Sequence, residues 1–126
     1  MTEPASPSEG LCVLHLFLRV RRSLIGPSVD VRAVKAAVRA ATDAGDQVVP
    51  VAILGHKADM ALMALGDDLW RLRDLQTAVV AAGLEVVESY LSMTEVSEYA
   101  AGVPDEMKQA RLYPQLPPAG KPAWCF

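Results

Sequence analysis

The sequence predicts an α+β fold with the order β-α-β-β-α-β, and three observations carry that prediction. Two apolar runs, Val48–Leu54 and Met60–Leu65, are joined by Gly55-His56-Lys57-Ala58-Asp59, a polar, glycine-containing joint of the kind that closes a β-hairpin. A helix-like segment lies on each side of that hairpin. A further apolar, strand-like run lies beyond each helix. Two strand-helix-strand halves in this order make a split β-α-β, or ferredoxin-like, arrangement, with one antiparallel sheet and both helices on one of its faces.

Leu11–Val20 is the first predicted strand. By the period of two, Leu14, Leu16, Leu18 and Val20 share one face and His15, Phe17 and Arg19 the other. Arg21-Arg22-Ser23 ends it, and Gly26-Pro27 breaks the chain. Ser28 or Asp30 can cap a helix running to about Ala44, with Val31, Val34, Val38 and Ala41 as its apolar stripe and Arg32, Lys35 and Arg39 in water. Gly45 is the expected stop. Pro50 then places the second strand at a sheet edge or at a bulge, because proline cannot donate to a ladder.

Met60–Leu65 is the third strand, ended by Gly66. Asp67-Asp68 cap a second helix, Leu69–Ala82, whose buried stripe is Leu69, Leu72, Leu75 or Gln76, and Val79. Gly83 closes it. Leu84–Met93 is the fourth strand, with Val86 and Tyr90 facing one way and Val87, Leu91 and Met93 the other. A short helical turn is expected from Thr94 through Tyr99, and one or two turns over Met107–Leu112. Four prolines within Pro114–Pro122 preclude a helix there, and the apolar Ala123-Trp124-Cys125-Phe126 is β-prone. The expected organisation is a disordered lead over 1–10, the ferredoxin-like domain over 11–101, and an extended Pro-rich tail over 102–126. The sheet face away from the helices, carrying Phe17, Val87 and Leu91, needs a cover, and a second such sheet would provide one.

At 126 residues with 52% hydrophobic residues, the chain is long and apolar enough for a packed core. No run approaches the roughly 20 uncharged apolar residues of a membrane span. A net charge of −3 argues against nucleic acid as a partner. The start carries no basic residue ahead of an apolar core, unlike an export signal, so a cytoplasmic location with Cys12 and Cys125 reduced is expected.

Little catalytic chemistry is visible. His15 and His56 are the only histidines, and no spacing supplies the three or four convergent ligands zinc needs. No phosphate-binding glycine loop and no nucleophile elbow is present. Asp67-Asp68 reads as a helix cap. His56-Lys57-Ala58-Asp59 reads as a solvated hairpin tip. Met60, Met63 and Met93 read as core. Arg111 and Tyr113 stand apart, since an Arg and a Tyr beside a rigid proline run can hold a carboxylate through the guanidinium fork. The competing reading pairs Arg111 with Glu106 and packs Tyr113 on the sheet.

Several stretches, taken together and in order, resemble a known family: LHLFLRV (Leu14–Val20), GHKADMALMAL (Gly55–Leu65), YLSMTEVSEY (Tyr90–Tyr99), ARLYPQLP (Ala110–Pro117) and WCF (Trp124–Phe126). They resemble the N-terminal half of the chlorite dismutase-like family and, within it, the coproheme decarboxylases of bacterial haem synthesis. The resemblance implies half of a dimeric α+β barrel, in which two ferredoxin-like sheets face each other, within a homo-oligomer that is a pentamer in the family. It implies haem or iron coproporphyrin III as cofactor or substrate, and peroxide-dependent conversion of two propionates to vinyls. It carries over one contact, Arg111, toward a porphyrin propionate. Ala110 stands where some members have a distal His, and His15 belongs to a strand motif rather than to the iron. The family's catalytic Tyr follows the WCF-like residues, and its proximal His lies in the second half; neither falls within these 126 residues. The expectation is therefore a scaffolding half of an oxidoreductase, inactive alone. It would partner with a porphyrin and with a C-terminal half or a sister subunit, with no nucleic acid and no membrane span. The alternative is a stand-alone ferredoxin-like dimerisation or small-ligand module.

Overall fold

The computed structural model describes residues 3–21, 25–26, 29–117 and 119–120. The expectations for Ser28, for the Arg22-Ser23 and Pro27 breaks and for Trp124-Cys125-Phe126 lie outside the described residues. Eight elements follow in order. They are β1 (Cys12–Val20), α1 (Val31–Asp43), β2 (Gln47–Ala52), β3 (Met60–Gly66), α2 (Leu69–Ala81), β4 (Leu84–Met93), a 3-10 turn (Glu98–Ala100) and α3 (Asp105–Leu112). The sheet order is β2-β3-β1-β4 with every neighbouring pair antiparallel, which is the ferredoxin-like arrangement. β2 is an edge strand, the first of the placements that Pro50 allows.

The helices form where their ends are specified. The Asp30 side chain accepts from the Ala33 N–H at 3.1 Å and the Asp68 side chain from the Trp70 N–H at 3.0 Å, satisfying donors the first turns would leave orphaned. Gly45 and Gly83 follow the two helices with φ of +103° and +105°, values that favour glycine. Both helices cover one sheet face. Val34, Val38 and Ala41 of α1, with Leu72, Leu75 and Val79 of α2, close over Leu14, Leu16 and Leu18 of β1. Val31, predicted to lead the α1 stripe, is instead 59% exposed, because α1 meets this core only from Val34 onward.

Three local expectations are corrected. The hairpin joint is longer than predicted. β2 stops at Ala52, the Ile53 N–H donates to the Asp59 carbonyl at 3.2 Å, and Leu54 is 98% exposed. The faces of β4 also change. A register shift between Phe17 and Leu18 sets Val86 opposite Leu18 but Tyr90 opposite His15, so Val86 joins the helix-side core while Tyr90 lies on the other face. Leu91, expected on the open face, sits opposite Leu14 on the helix side. Finally, no helical turn begins at Thr94. Its N–H bonds the Leu11 carbonyl at 2.9 Å and extends the sheet, delaying the 3-10 turn to Glu98.

Thr94 also ties three segments together. Its hydroxyl accepts from the Leu11 N–H at 2.8 Å and donates to the Leu112 carbonyl at 2.7 Å, so β1, β4 and α3 meet at one oxygen. Thr94→Val keeps the shape and orphans both partners. It should cost about 1–3 kcal/mol, read as a lower urea midpoint at unchanged m. The N-terminal lead is held at two points. Ala5 donates to Asp68 at 3.2 Å and accepts from the Leu69 N–H at 2.9 Å, and the Gly10 N–H donates to the Tyr113 hydroxyl at 3.1 Å.

Candidate functional site

The second sheet face carries the residues with chemistry. At one end Val13, Val49, Met63 and Leu65 form a small cluster against which Leu116 of the tail packs. The tail is fastened there through its backbone. Gln47 at the start of β2 donates from its side-chain amide to the Pro114 carbonyl at 2.7 Å and accepts from the Leu116 N–H at 2.8 Å. Arg111 lies just before this anchored stretch, in the last turn of α3. Its side chain is exposed and makes no ion pair among the described residues, with Glu106 or any other acid. The residues after Arg111 are held by bonds from Leu112 to Thr94, from the Tyr113 hydroxyl to Gly10 and from Pro114 and Leu116 to Gln47, and the exposed guanidinium is free to receive a carboxylate.

The other end of the face gathers aromatic and charged groups distant in sequence. The His15 ring stacks on Tyr90 with centroids 4.1 Å apart, and Phe17 lies 6.5 Å from Tyr90 and edge-on to His56 at 5.7 Å. Glu88, opposite Phe17, receives Lys57 Nζ at 2.9 Å and lies 3.7 Å from His56 Nε2. The hairpin tip is solvated as predicted at Gly55, His56 and Lys57, and it also bends back toward the sheet through its contacts with Phe17 and Glu88. The Asp59 carboxylate accepts from the Val20 N–H at 2.8 Å, and Ala58 is buried. Periodicity alone separates His15 from His56. Their convergence through Phe17 depends on the hairpin's return and the β4 register, neither of which spacing reveals.

Burial at this end disfavours the charged form of His15. Nδ1 of His15 is buried without a hydrogen-bond partner, and burial pushes the imidazole below its ordinary 6.5, partly opposed by the Tyr90 backbone. Lys57 foremost, with His56, holds the Glu88 carboxyl below the usual carboxylate range. The unfolded chain takes up the imidazole proton at the ordinary value and the folded chain at a lower one. The stability tied to neutral His15 is thus present above pH 6.5 and is lost progressively as pH falls from there through the lower folded value. Thermal melts on either side of that value should show this loss, and His15→Phe should flatten it.

The described residues hold little that could enclose a cofactor. No three His, Cys, Asp or Glu side chains gather among them as a metal-binding group. Cys12 is buried and its thiol is pushed up, mainly by burial and further by Asp67 and Asp68, which suppresses the thiolate a nucleophile needs. A cavity of about 290 Å³ lies between α1 and α2, walled by alanines with Arg71 and Asp74, and Arg111 does not line it. Among the described residues Arg111 is an exposed cation with no acidic partner, of the kind that can receive a carboxylate. No helix of the described residues is long and apolar enough to cross a membrane.

No family model matches the chain. Among curated proteins it is similar to the coproheme decarboxylase of Staphylococcus carnosus (strain TM300), with 37% identity over 75 residues, covering 52% of this chain and 30% of that relative. The match takes in well under two thirds of the relative's length. The similarity links part of this ferredoxin-like chain to part of a coproheme decarboxylase.

Proposed function

We propose that this chain is the N-terminal, scaffolding half of a chlorite dismutase-like, haem- or coproheme-handling oxidoreductase, most nearly a peroxide-dependent coproheme decarboxylase. The observation that carries the reading is the partial match to a coproheme decarboxylase by a chain of ferredoxin-like order. In this reading a second ferredoxin-like sheet covers the face bearing His15, Phe17 and Tyr90. Arg111, exposed at the end of α3, receives a propionate of haem or iron coproporphyrin III at the edge of the assembled site. The chain contributes a barrel face, a cation and subunit contacts, and the iron ligand and catalytic Tyr come from the second half.

The test is a spectroscopic titration of the purified chain with iron coproporphyrin III. The Soret band should not shift with this chain alone. It should shift on addition of a polypeptide carrying the family's second half, and Arg111→Ala should weaken that response by roughly tenfold, the loss of one charge-assisted contact.

A second reading, a stand-alone ferredoxin-like module that binds a partner without catalysis, is favoured by the way Gln47 and Thr94 fasten the tail through Leu116 to the chain's own sheet. No response with the second half present would favour it.

A further inference from the structure

The outer face of α1 and the segment that follows β4 carry opposite charge, and neither is neutralised among the described residues. Arg32, Lys35 and Arg39 recur at i, i+3 and i+7, so they share one face of α1. All three are exposed, and none makes an ion pair among the described residues. The nearest acids along this helix, Asp30 and Asp43, stand at its two ends. Val31, 59% exposed, borders the same face. Residues 95–106 hold Glu95, Glu98, Asp105 and Glu106 and no Lys or Arg. These carboxylates are likewise exposed and outside any ion pair among the described residues. Beside them Tyr99 is 91% exposed and Met107 50%. α3 packs on no other described helix or strand, and Leu112 at its last position is its buried residue. A helix this short with so little packing is marginal in water, and a docked partner would stabilise it.

We propose that copies of this chain associate head to tail, the cationic face of α1 in one copy seated against residues 95–106 of the next. The two surfaces do not meet within one copy. α1 packs on α2 and β2 and makes no contact with α3. β2 lies at one edge of the sheet, and residues 95–106 follow β4 at the opposite edge. The occupant is a second copy because both halves of the complementary pair are carried by this chain, on opposite sides of its fold. An unrelated acidic partner would match α1 and leave residues 95–106 unmatched, and a basic one would do the reverse. In the contact the carboxylates of one copy face the cations of the other, which sets its orientation. The exposed Tyr99 ring supplies a face for an Arg guanidinium, and Val31 and Met107 add apolar area. A contact between two different surfaces repeats from copy to copy, closing into a ring or continuing as a chain according to the rotation it imposes. The inference goes beyond the half-enzyme reading and does not depend on it.

Sedimentation velocity over a concentration series of the full chain tests the proposal. At low salt the unmodified chain should self-associate. Exposed ion pairs are individually weak, and the screening length falls from about 10 Å at 0.1 M salt to about 3 Å at 1 M, so that change should weaken association at least tenfold. Two charge-reversed variants locate the contact. One carries Arg32→Glu, Lys35→Glu and Arg39→Glu; the other carries Glu95→Lys, Glu98→Lys and Glu106→Lys. Each alone should associate at least tenfold more weakly than the parent with its melting temperature unchanged, since every replaced side chain faces solvent. Mixed together, the two should associate with each other, because the acidic segment of the first meets the unchanged α1 of the second. A chain that stays monomeric at low salt, a variant that associates like the parent, or a mixture as dissociated as its components would each overturn the proposal. The half-enzyme reading would stand after any of these results, since the Soret titration tests it separately.

Discussion

Arg71→Leu should destabilise the fold by about 3 kcal/mol, because it leaves a buried carboxylate without its counter-ion. Asp46 lies in the turn between α1 and β2 with its side chain fully buried. Arg71, in the first turn of α2, reaches it through both Nε and Nη2, the shortest contact being 2.6 Å, and extends to Asp67 at 2.6 Å. The Asp46 hydrogen bonds foremost, then Asp67, raise the Arg71 pKa further above its ordinary value, so the cation is fixed at every accessible pH. The ion pair ties the α1–β2 turn to the start of α2, the two points where the helices enter and leave the sheet. For a chain of this size the loss should lower Tm by roughly 10–15 °C. Asp46→Asn in the same chain should recover part of it by removing the orphaned charge, and that non-additivity distinguishes an ion pair from two independent packing losses. Gly66→Ala attacks the same contact from another side. A Cβ there would overlap Asp46 Oδ1 and stand 2.9 Å from its Cγ, so the carboxylate would have to leave Arg71.

Leu16→Ala should cost about 3–4 kcal/mol through transfer and cavity terms together. Leu16 lies at the middle of the inner strand β1, paired to Leu62 on one side and Ser89 on the other, and is fully buried among the residues that α1 and α2 close over. Its neighbours sit on a four-stranded sheet and cannot move into the void without breaking ladder bonds. Leu16→Met should cost under about 1.5 kcal/mol, because volume is nearly conserved. Urea unfolding of the three forms, with m unchanged, would give the ordering. A loss below about 1 kcal/mol for the Ala variant would mean that this layer is not the core.

What the sequence made legible was what short-range chemistry specifies. Asp30 and Asp68 as caps, Gly45 and Gly83 as stops, the alternation of β1 and Pro50 at an edge are each decided within a few residues, and β-α-β-β-α-β leaves few ways to close a sheet. The features that stayed hidden depend on register. Nothing in Val86-Val87-Glu88 marks the irregularity that turns Tyr90 toward His15, since it contains neither glycine nor proline. Asp46 reads as an ordinary turn residue and Gly66 as a strand end, until the fold brings a buried carboxylate against the space a side chain would have filled. Arg111 was legible as a candidate by resemblance and by its proline-rich setting. The clamp around it, Gln47 with Thr94, was not, because each bond joins residues far apart in the chain.

The proposal that this chain scaffolds a porphyrin site completed by a second half stands or falls on the Soret titration with iron coproporphyrin III. The band should be unchanged with this chain alone and should shift saturably once the second-half polypeptide is present, less so with Arg111→Ala. A saturable shift from the chain by itself would contradict that division of labour and turn attention to His15 and His56. No shift with both pieces present would contradict the half-enzyme reading itself.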